Sequence, residues 1–259
     1  MVLGMNESHG RDGLAMKNDP YIVAAFLEAK EREKGAADGT SPIVTISRQC
    51  SSQGEEIASR TSEILTDMSH GRRLWVVVDK NIAERVIEDH HLPKRIGRFF
   101  SDEQTLSIEE HVEGMLGISV PGSTMVQDMT RTILRLARIG HVVLVGRAAP
   151  LITASFPRAV HVRIIGSFNR RVERLAERKQ CSWDEAAAEV RKVDNQRHHF
   201  ISTYFHSDLD DPTHYDLVFN TDRVSVEESA RLIAQLVSSP DFREKEAKKL
   251  VELRHHVLG

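Results

Sequence analysis

The feature that most constrains this chain is a repeated switch of hydrophobic period. Short, continuous apolar runs rich in β-branched residues alternate with segments whose apolar residues recur at helical spacing. The runs are "PIVTI", "LWVVVD", "HVVLVG", "AVHVRIIG" and "YDLVFN". A strand that is apolar on both faces must be covered on both faces, which is the condition of a parallel sheet between helix layers. Helical segments separate the runs: "EEIASRTSEILTDM" with Ile57, Thr61, Ile64 and Leu65 on one face, "KNIAERVIED", "TMVQDMTRTILRLARIG" ended by Gly140, and "SFNRRVERLAERK". Ser182 opens a further helix with Glu185 three residues on, and Ser225 with Glu228 repeats that capping box before the last one. The expectation is an α/β fold with a parallel sheet flanked by helices on both faces.

Outside this alternation, residues 1–19 are polar, carry no period and are expected to be disordered. A short helix is expected over "DPYIVAAFLEAKEREKG". Asp19 caps it, Pro20 occupies its first position and Gly35 ends it. Its Ile22, Ala25, Phe26 and Ala29 form a face that docks on the main body or on a partner. "AADGTSP" reads as a linker. The domain plan is therefore an extension over 1–40, an α/β domain over 41–239 and a charged amphipathic helix over 240–259. Residues 90–123 are less regular, with short helices expected around "IEEHVEGMLG" and a break at "VPGS". The terminal helices are candidates for a protein partner or self-association.

Composition removes several function classes. Net charge is −3, with 28% charged and 40% hydrophobic residues, so no global basic field points to nucleic acid. The only cysteines, Cys50 and Cys181, form no CxxC pair, and no run approaches the roughly 18 apolar residues of a membrane span. The first residues are too polar for a secretory signal, so a soluble cytoplasmic protein is expected.

Ligands of open α/β sheets bind beyond the carboxyl ends of the strands. Those positions, 47–56, 79–80, 146–147, 166–167 and 220–222, are polar and rich in charge. The first of them, "ISRQCSSQGEEIASR", is a serine- and glycine-bearing turn between a strand and a helix, where phosphates often bind. Arginines concentrate downstream: Arg170, Arg171, Arg174 and Arg178 on one helix, and Arg191, Lys192 and Arg197 on the next. Phosphoryl transfer needs cations around the moving group, and the planar guanidinium fork suits them. The alternative is a solvated face laced with Glu173, Glu177 and Glu189. The two helices form a hairpin joined by "KQCS" between two strands, spanning about 167–212, in the place of a lid that closes over substrate.

In this order the motifs resemble the nucleoside monophosphate kinases, and most of all the cytidylate kinase-like proteins. The stretches that carry the resemblance are "ISRQCSSQGEEIA", "VDKNIAERV", "VLVGRAAPLI", "GSFNRRVERLAER" with "VDNQR", and "YDLVFNTDRVSVEESARLI", from residue 43 to about 237. The resemblance implies a P-loop NTPase-like sheet with a helical lid hairpin. It also implies ATP-dependent, magnesium-assisted phosphorylation of a nucleoside monophosphate, CMP or dCMP. Arg147 resembles the arginine that meets the acceptor. Arg171 and Arg174 resemble the lid-base arginines near the transferring phosphate. Asp194 and Arg197 match the lid Asp-x-x-Arg that contacts acceptor sugar and phosphate, and Arg197 joins Arg171 and Arg174 as a catalytic candidate. Asp79 resembles the acidic residue near the acceptor or the metal.

The ATP-binding loop would comprise Arg48, Ser51, Ser52, Gln53, Gly54 and Glu55. It departs from a P-loop: the lysine's place falls at Gly54 and the magnesium-holding hydroxyl's at Glu55. The cytidylate kinase-like group typically lacks that lysine, but its members tend to have glycines where Ser51 and Gln53 stand. Arg48 could supply the missing charge and Glu55 could hold magnesium. Otherwise Glu55 and Glu56 simply stabilise the first turn of the helix. The rival function is a catalytically silent P-loop-like protein with a regulatory or interaction role. A loop curled around a phosphate-sized hollow is expected of the enzyme, and one filled by Gln53 or Glu55 of the silent protein. Cys50 sits where a helix start could lower its thiol pKa, and otherwise reads as an inert small residue. Asp208, Asp210 and Asp211 of "SDLDDP" complete no calcium pattern and read as a solvated turn. Neighbouring histidines, such as His198–His199, cannot face one metal together.

Overall fold

A computed structural model describes residues 26, 41–79, 124–239 and 242. Five strands form one all-parallel sheet: β1 (Ile43–Arg48), β2 (Val76–Val78), β3 (Val142–Val145), β4 (Ala159–Ile165) and β5 (Leu217–Asn220), in the order β2-β3-β1-β4-β5. The helices are α1 (Gly54–Met68), α2 (Thr124–Ile139), α3 (Ala149–Ile152), α4 (Phe168–Lys179), α5 (Trp183–Phe205) and α6 (Val226–Ser238). All five apolar runs became strands. Both capping boxes are present, with each serine and glutamate satisfying the other's backbone N–H. The helix α3, inside "VGRAAPLI", was not anticipated. The segments "KNIAERVIED" and "IEEHVEGMLG" lie outside the described residues. So do both terminal helices, apart from Phe26 and Phe242.

Burial on both sheet faces follows from the strand composition. On one face Ile43, Val76, Val78 and Leu144 pack with α2, α3 and the last turns of α5 through Leu136, Ala149, Ile152, Ile201 and Phe205. Phe26, from the face expected to dock, is 6% exposed within that cluster. On the other face Val44, Ile46, Val77, Val143, Val162 and Ile164 meet α1 and α6 through Ile57, Leu65, Ile233 and Val237. Burying each such side chain contributes roughly 1.5–3 kcal/mol, so the two layers dominate folding.

The topology locates the site. β1 lies between β3 and β4. The chain leaves β1 through α1 toward β2, and leaves β4 through α4 and α5 toward β5. Adjacent connections that diverge open a crevice at the carboxyl ends of β1 and β4.

One face of β1 and β4 is polar beneath the end of α5. Thr45 Oγ1 lies 2.8 Å from His161 Nδ1, and the buried Arg163 donates to Ser47 Oγ at 2.9 Å and to Asp210 Oδ1 at 2.7 Å. Asp210 is therefore anchored to the sheet, and "SDLDDP" is more than a solvated turn. Burial pushes the His161 pKa down, opposed by Asp216 and aided by His214, to about 4. Below about pH 6.5 the unfolded histidine takes up a proton that the folded one refuses, so stability declines as pH falls toward 4. We predict that the stability advantage of the wild type over His161→Gln narrows by about 3 kcal/mol between pH 7 and pH 4, measured by urea unfolding. A difference independent of pH would show that His161 takes up its proton in the fold as readily as in the unfolded chain.

Candidate functional site

The loop between β1 and α1 follows a path that side chains hold in place. Ser51 and Gln53 adopt left-handed backbone conformations, with φ of 56° and 62°. These are the two positions where the resemblance leads one to expect glycine. A non-glycine residue there is disfavoured by roughly 1–2 kcal/mol, so surrounding contacts must maintain the path. The Ser52 hydroxyl, wholly buried, donates to the Gln49 carbonyl at 2.9 Å and the Ile164 carbonyl at 3.2 Å. The Gln49 side chain accepts from the Gly166 N–H at 3.1 Å, tying the loop to the turn after β4. Gln49 has no motif signal, and sequence reasoning missed it.

The strongest hold comes from the α4–α5 hairpin. Asp194 Oδ1 accepts the Cys50 N–H at 2.7 Å, and Asp194 Oδ2 accepts from Arg171 Nη1 at 2.5 Å. Arg171 also donates to the Cys50 carbonyl at 3.2 Å and the Gly166 carbonyl at 3.0 Å. One carboxylate and one guanidinium thus grip both polar groups of Cys50. The side chains are 17% and 7% exposed, so water competes weakly for either. Asp194, expected at the acceptor sugar, has both oxygens engaged by the loop and by Arg171. Arg171, expected at the moving phosphate, is a buried brace. Cys50 shares an apolar cluster with Val172, Leu175 and Val190 of the hairpin. Burial pushes its thiol pKa up, with Arg197 opposing and Asp194 assisting, so the inert reading of Cys50 is the one the structure favours.

Arg48, Arg147, Arg174, Arg178 and Arg197 line two hollows. Arg197 donates to the Arg48 carbonyl at 3.0 Å and, with Arg48 and Arg147, lines a cleft of about 510 Å³. Phe200, Leu209 and Tyr215 add apolar and hydroxyl surface to that cleft. A second hollow of about 350 Å³ is lined by Ser51, Gln53, Glu56, Arg174, Glu177 and Arg178. Arg174 is steadied there by Thr221, through the hydroxyl at 3.1 Å and the carbonyl at 3.0 Å. Arg178 donates to Ser51 Oγ at 3.0 Å. Arg171, Arg174 and Arg178 follow i, i+3, i+7 spacing on α4, a periodicity that could have added Arg178 to the candidates.

Glu55 turns toward Arg48, whose Nε donates to its Oε1 at 2.9 Å. Burial raises the Glu55 pKa, but the charge and hydrogen bond of Arg48 outweigh it, and the group stays ionised below the usual glutamate range. Asp79 follows β2 at the same ends of the strands. His198, Asp208 and Asp210 bring potential ligand atoms within 4.8 Å of one another, but Asp210 already pairs with Arg163. Among the described residues, no helix is long and apolar enough to cross a membrane.

The clamp makes a stability prediction. Asp194→Asn leaves the buried Arg171 without its counter-charge, and should lower unfolding free energy by about 3 kcal/mol. The double variant Arg171→Met/Asp194→Leu should lose less than the sum of the two single changes in denaturant titrations. Strict additivity would mean that the two residues do not act as a pair.

No curated protein matches this chain. A crystal structure of an uncharacterized protein from Eubacterium ventriosum ATCC 27560 is similar in fold, with a TM-score of 0.51 at 20% identity, covering 77% of this chain and 99% of that one. The sequence pattern of the cytidylate kinase-like family matches residues 43–223. That stretch runs from the first residue of β1 to the turn before α6, so it takes in the whole sheet and the hairpin, and the chain belongs to the cytidylate kinase-like family.

Proposed function

We propose that the protein transfers a phosphoryl group from ATP to a nucleoside monophosphate, CMP or dCMP, by direct in-line displacement. The observation that carries this reading is the pair of hollows bordering one loop, each with its own arginines. Transfer requires two anionic ligands to meet end to end, and two cation-lined recesses separated by a phosphate-facing turn suit that task. The larger cleft, lined by Arg147, Arg197, Phe200 and Tyr215, fits an acceptor that combines a phosphate with a flat base, and Arg48, where that cleft meets the loop after β1, is assigned to the donor's terminal phosphate. The smaller hollow, with Arg174 and Arg178 beside Ser51, fits the donor's phosphates. Family membership suggests nucleotide kinase activity, and the choice of cytosine rests on the resemblance.

In this scheme Arg174 and Arg197 stabilise the charge that spreads over the transferring oxygens. Arg171 and Asp194 hold the loop instead of touching substrate. Magnesium is met by one or two carboxylates together with phosphate oxygens. Glu55 is engaged by Arg48, which leaves Glu56 and Glu177, on the wall of the smaller hollow, as the carboxylates that would fit the ion. Magnesium would neutralise donor phosphate charge when bound.

A second reading has one observation in its favour: the Arg48–Glu55 pair satisfies within the chain a cation that a donor phosphate would need. It describes a catalytically silent member that binds an acceptor-like nucleotide and signals through a partner.

A coupled assay across nucleoside monophosphates, with ATP and magnesium, separates the two readings. The expected outcome is turnover with a cytosine acceptor and a loss of about 100-fold or more in kcat/KM on Arg197→Ala or Arg174→Ala. No turnover on any acceptor, together with calorimetric binding of CMP but not ATP, would establish the silent reading.

A further inference from the structure

Arg48 runs along a track made by two glycines. A Cβ at Gly54 would lie 2.7 Å from Arg48 Cβ and 2.9 Å from its Cγ, and a Cβ at Gly146 would overlap Nη1. Neither neighbour could carry a side chain without moving the arginine. Gly54 therefore serves Arg48 where a P-loop lysine would stand, and the guanidinium is held between the end of β3 and the first turn of α1. There it lines the larger cleft, and its backbone carbonyl is fixed by Arg197.

Onto this placed cation the chain folds its own anion. Glu55 Oε1 accepts from Arg48 Nε at 2.9 Å, yet the Glu55 side chain is 49% exposed. Arg48, at 14%, is the sheltered member. A carboxylate on a guanidinium presents the same acceptor geometry as a phosphate oxygen, and the two compete for the same N–H donors. The carboxylate has solvent on one side to turn into, whereas most of the arginine side chain is sheltered by the protein.

We propose that Glu55 is a specificity-determining residue of the donor seat, an internal carboxylate standing where a phosphate oxygen would stand on Arg48, so that a bare polyphosphate must displace it to bind. The ligand class is an inorganic or nucleoside polyphosphate, and the inference rests on the reading that this loop faces phosphate. Glu55 thus excludes polyanions unless their own contacts, or a cation they bring, offset the displaced pair. The departures of this loop from a P-loop are then one device: an arginine in place of the lysine, glycines to seat it and a glutamate to guard it.

Titration of inorganic tripolyphosphate without divalent cation, by calorimetry on the full chain, tests this. The proteins compared are the wild type, Glu55→Gln and Asp67→Asn. The last removes the same charge from an exposed position near the other end of α1. Glu55→Gln should bind about tenfold tighter than the wild type, and Asp67→Asn within about twofold of it. Equal or weaker binding by Glu55→Gln overturns the role of Glu55 while leaving a phosphate-facing loop in place. Equal gains in both variants also overturn it, since net charge alone would then explain the change. No binding by any of the three overturns the inference and the phosphate-facing loop together.

Discussion

Everything at the mouth of the sheet depends on the grip that Asp194 and Arg171 exert on the peptide groups around Cys50. The turn after β1 contains two non-glycine residues in left-handed conformations, and such a turn is not self-supporting. The hairpin holds it through a carboxylate to the Cys50 N–H and a guanidinium to the Cys50 carbonyl, with the apolar contacts of Cys50 beneath, and the same guanidinium reaches the Gly166 carbonyl after β4. The hairpin is therefore part of the loop's foundation. A movement of α4 against α5 would reach the loop directly, because both members of the clamp belong to it.

The same arrangement divides the arginines into two kinds. Arg171 and Arg163 are buried and bonded to protein partners around them, which suits holding backbone and sheet in register. Arg174, Arg178 and Arg197 are steadied at one end and face a hollow with the other. A guanidinium carries five donors, so it can be anchored and still offer N–H groups to a ligand. Arg48 belongs to neither kind, since its place is set by glycines and its charge is met by Glu55. A loop that looks degraded by motif is thus chemically coherent, with the positive charge entering from the strand side.

Much of this was legible in the residues. Period, β-branching and strand length identified five strands in a parallel sheet, because burial on both faces selects short, mostly apolar runs. The two Ser-x-x-Glu boxes marked helix starts because their hydrogen bonds are local. The order of motifs pointed to the cytidylate kinase-like family before any geometry was known. Roles within the site were less legible. Arg171 and Asp194 carry the right residue types at the right spacing for substrate contact, yet they face the loop. Arg178 was visible as helical periodicity, whereas Gln49, Ser47 and Thr221 lay within the strand-end segments but could not be singled out there, since a neutral side chain that accepts one N–H has no pattern.

What the sequence by itself determined, among the described residues, is the five strands and the longer helices, their order and the chemistry available at the strand ends, because each depends on neighbours within a few residues. Only the tertiary structure decided the pairings: Asp194 with Cys50 across 144 positions, Arg178 with Ser51 across 127, and the polar seam joining Ser47 to Arg163 across 116. Even Arg48 with Glu55, seven positions apart, required the turn to reverse and two glycines to clear the way. Charge complementarity permits many partners for each arginine. The strand order and the path of the hairpin choose among them, because they bring one carboxylate within hydrogen-bonding distance and leave the others in solvent.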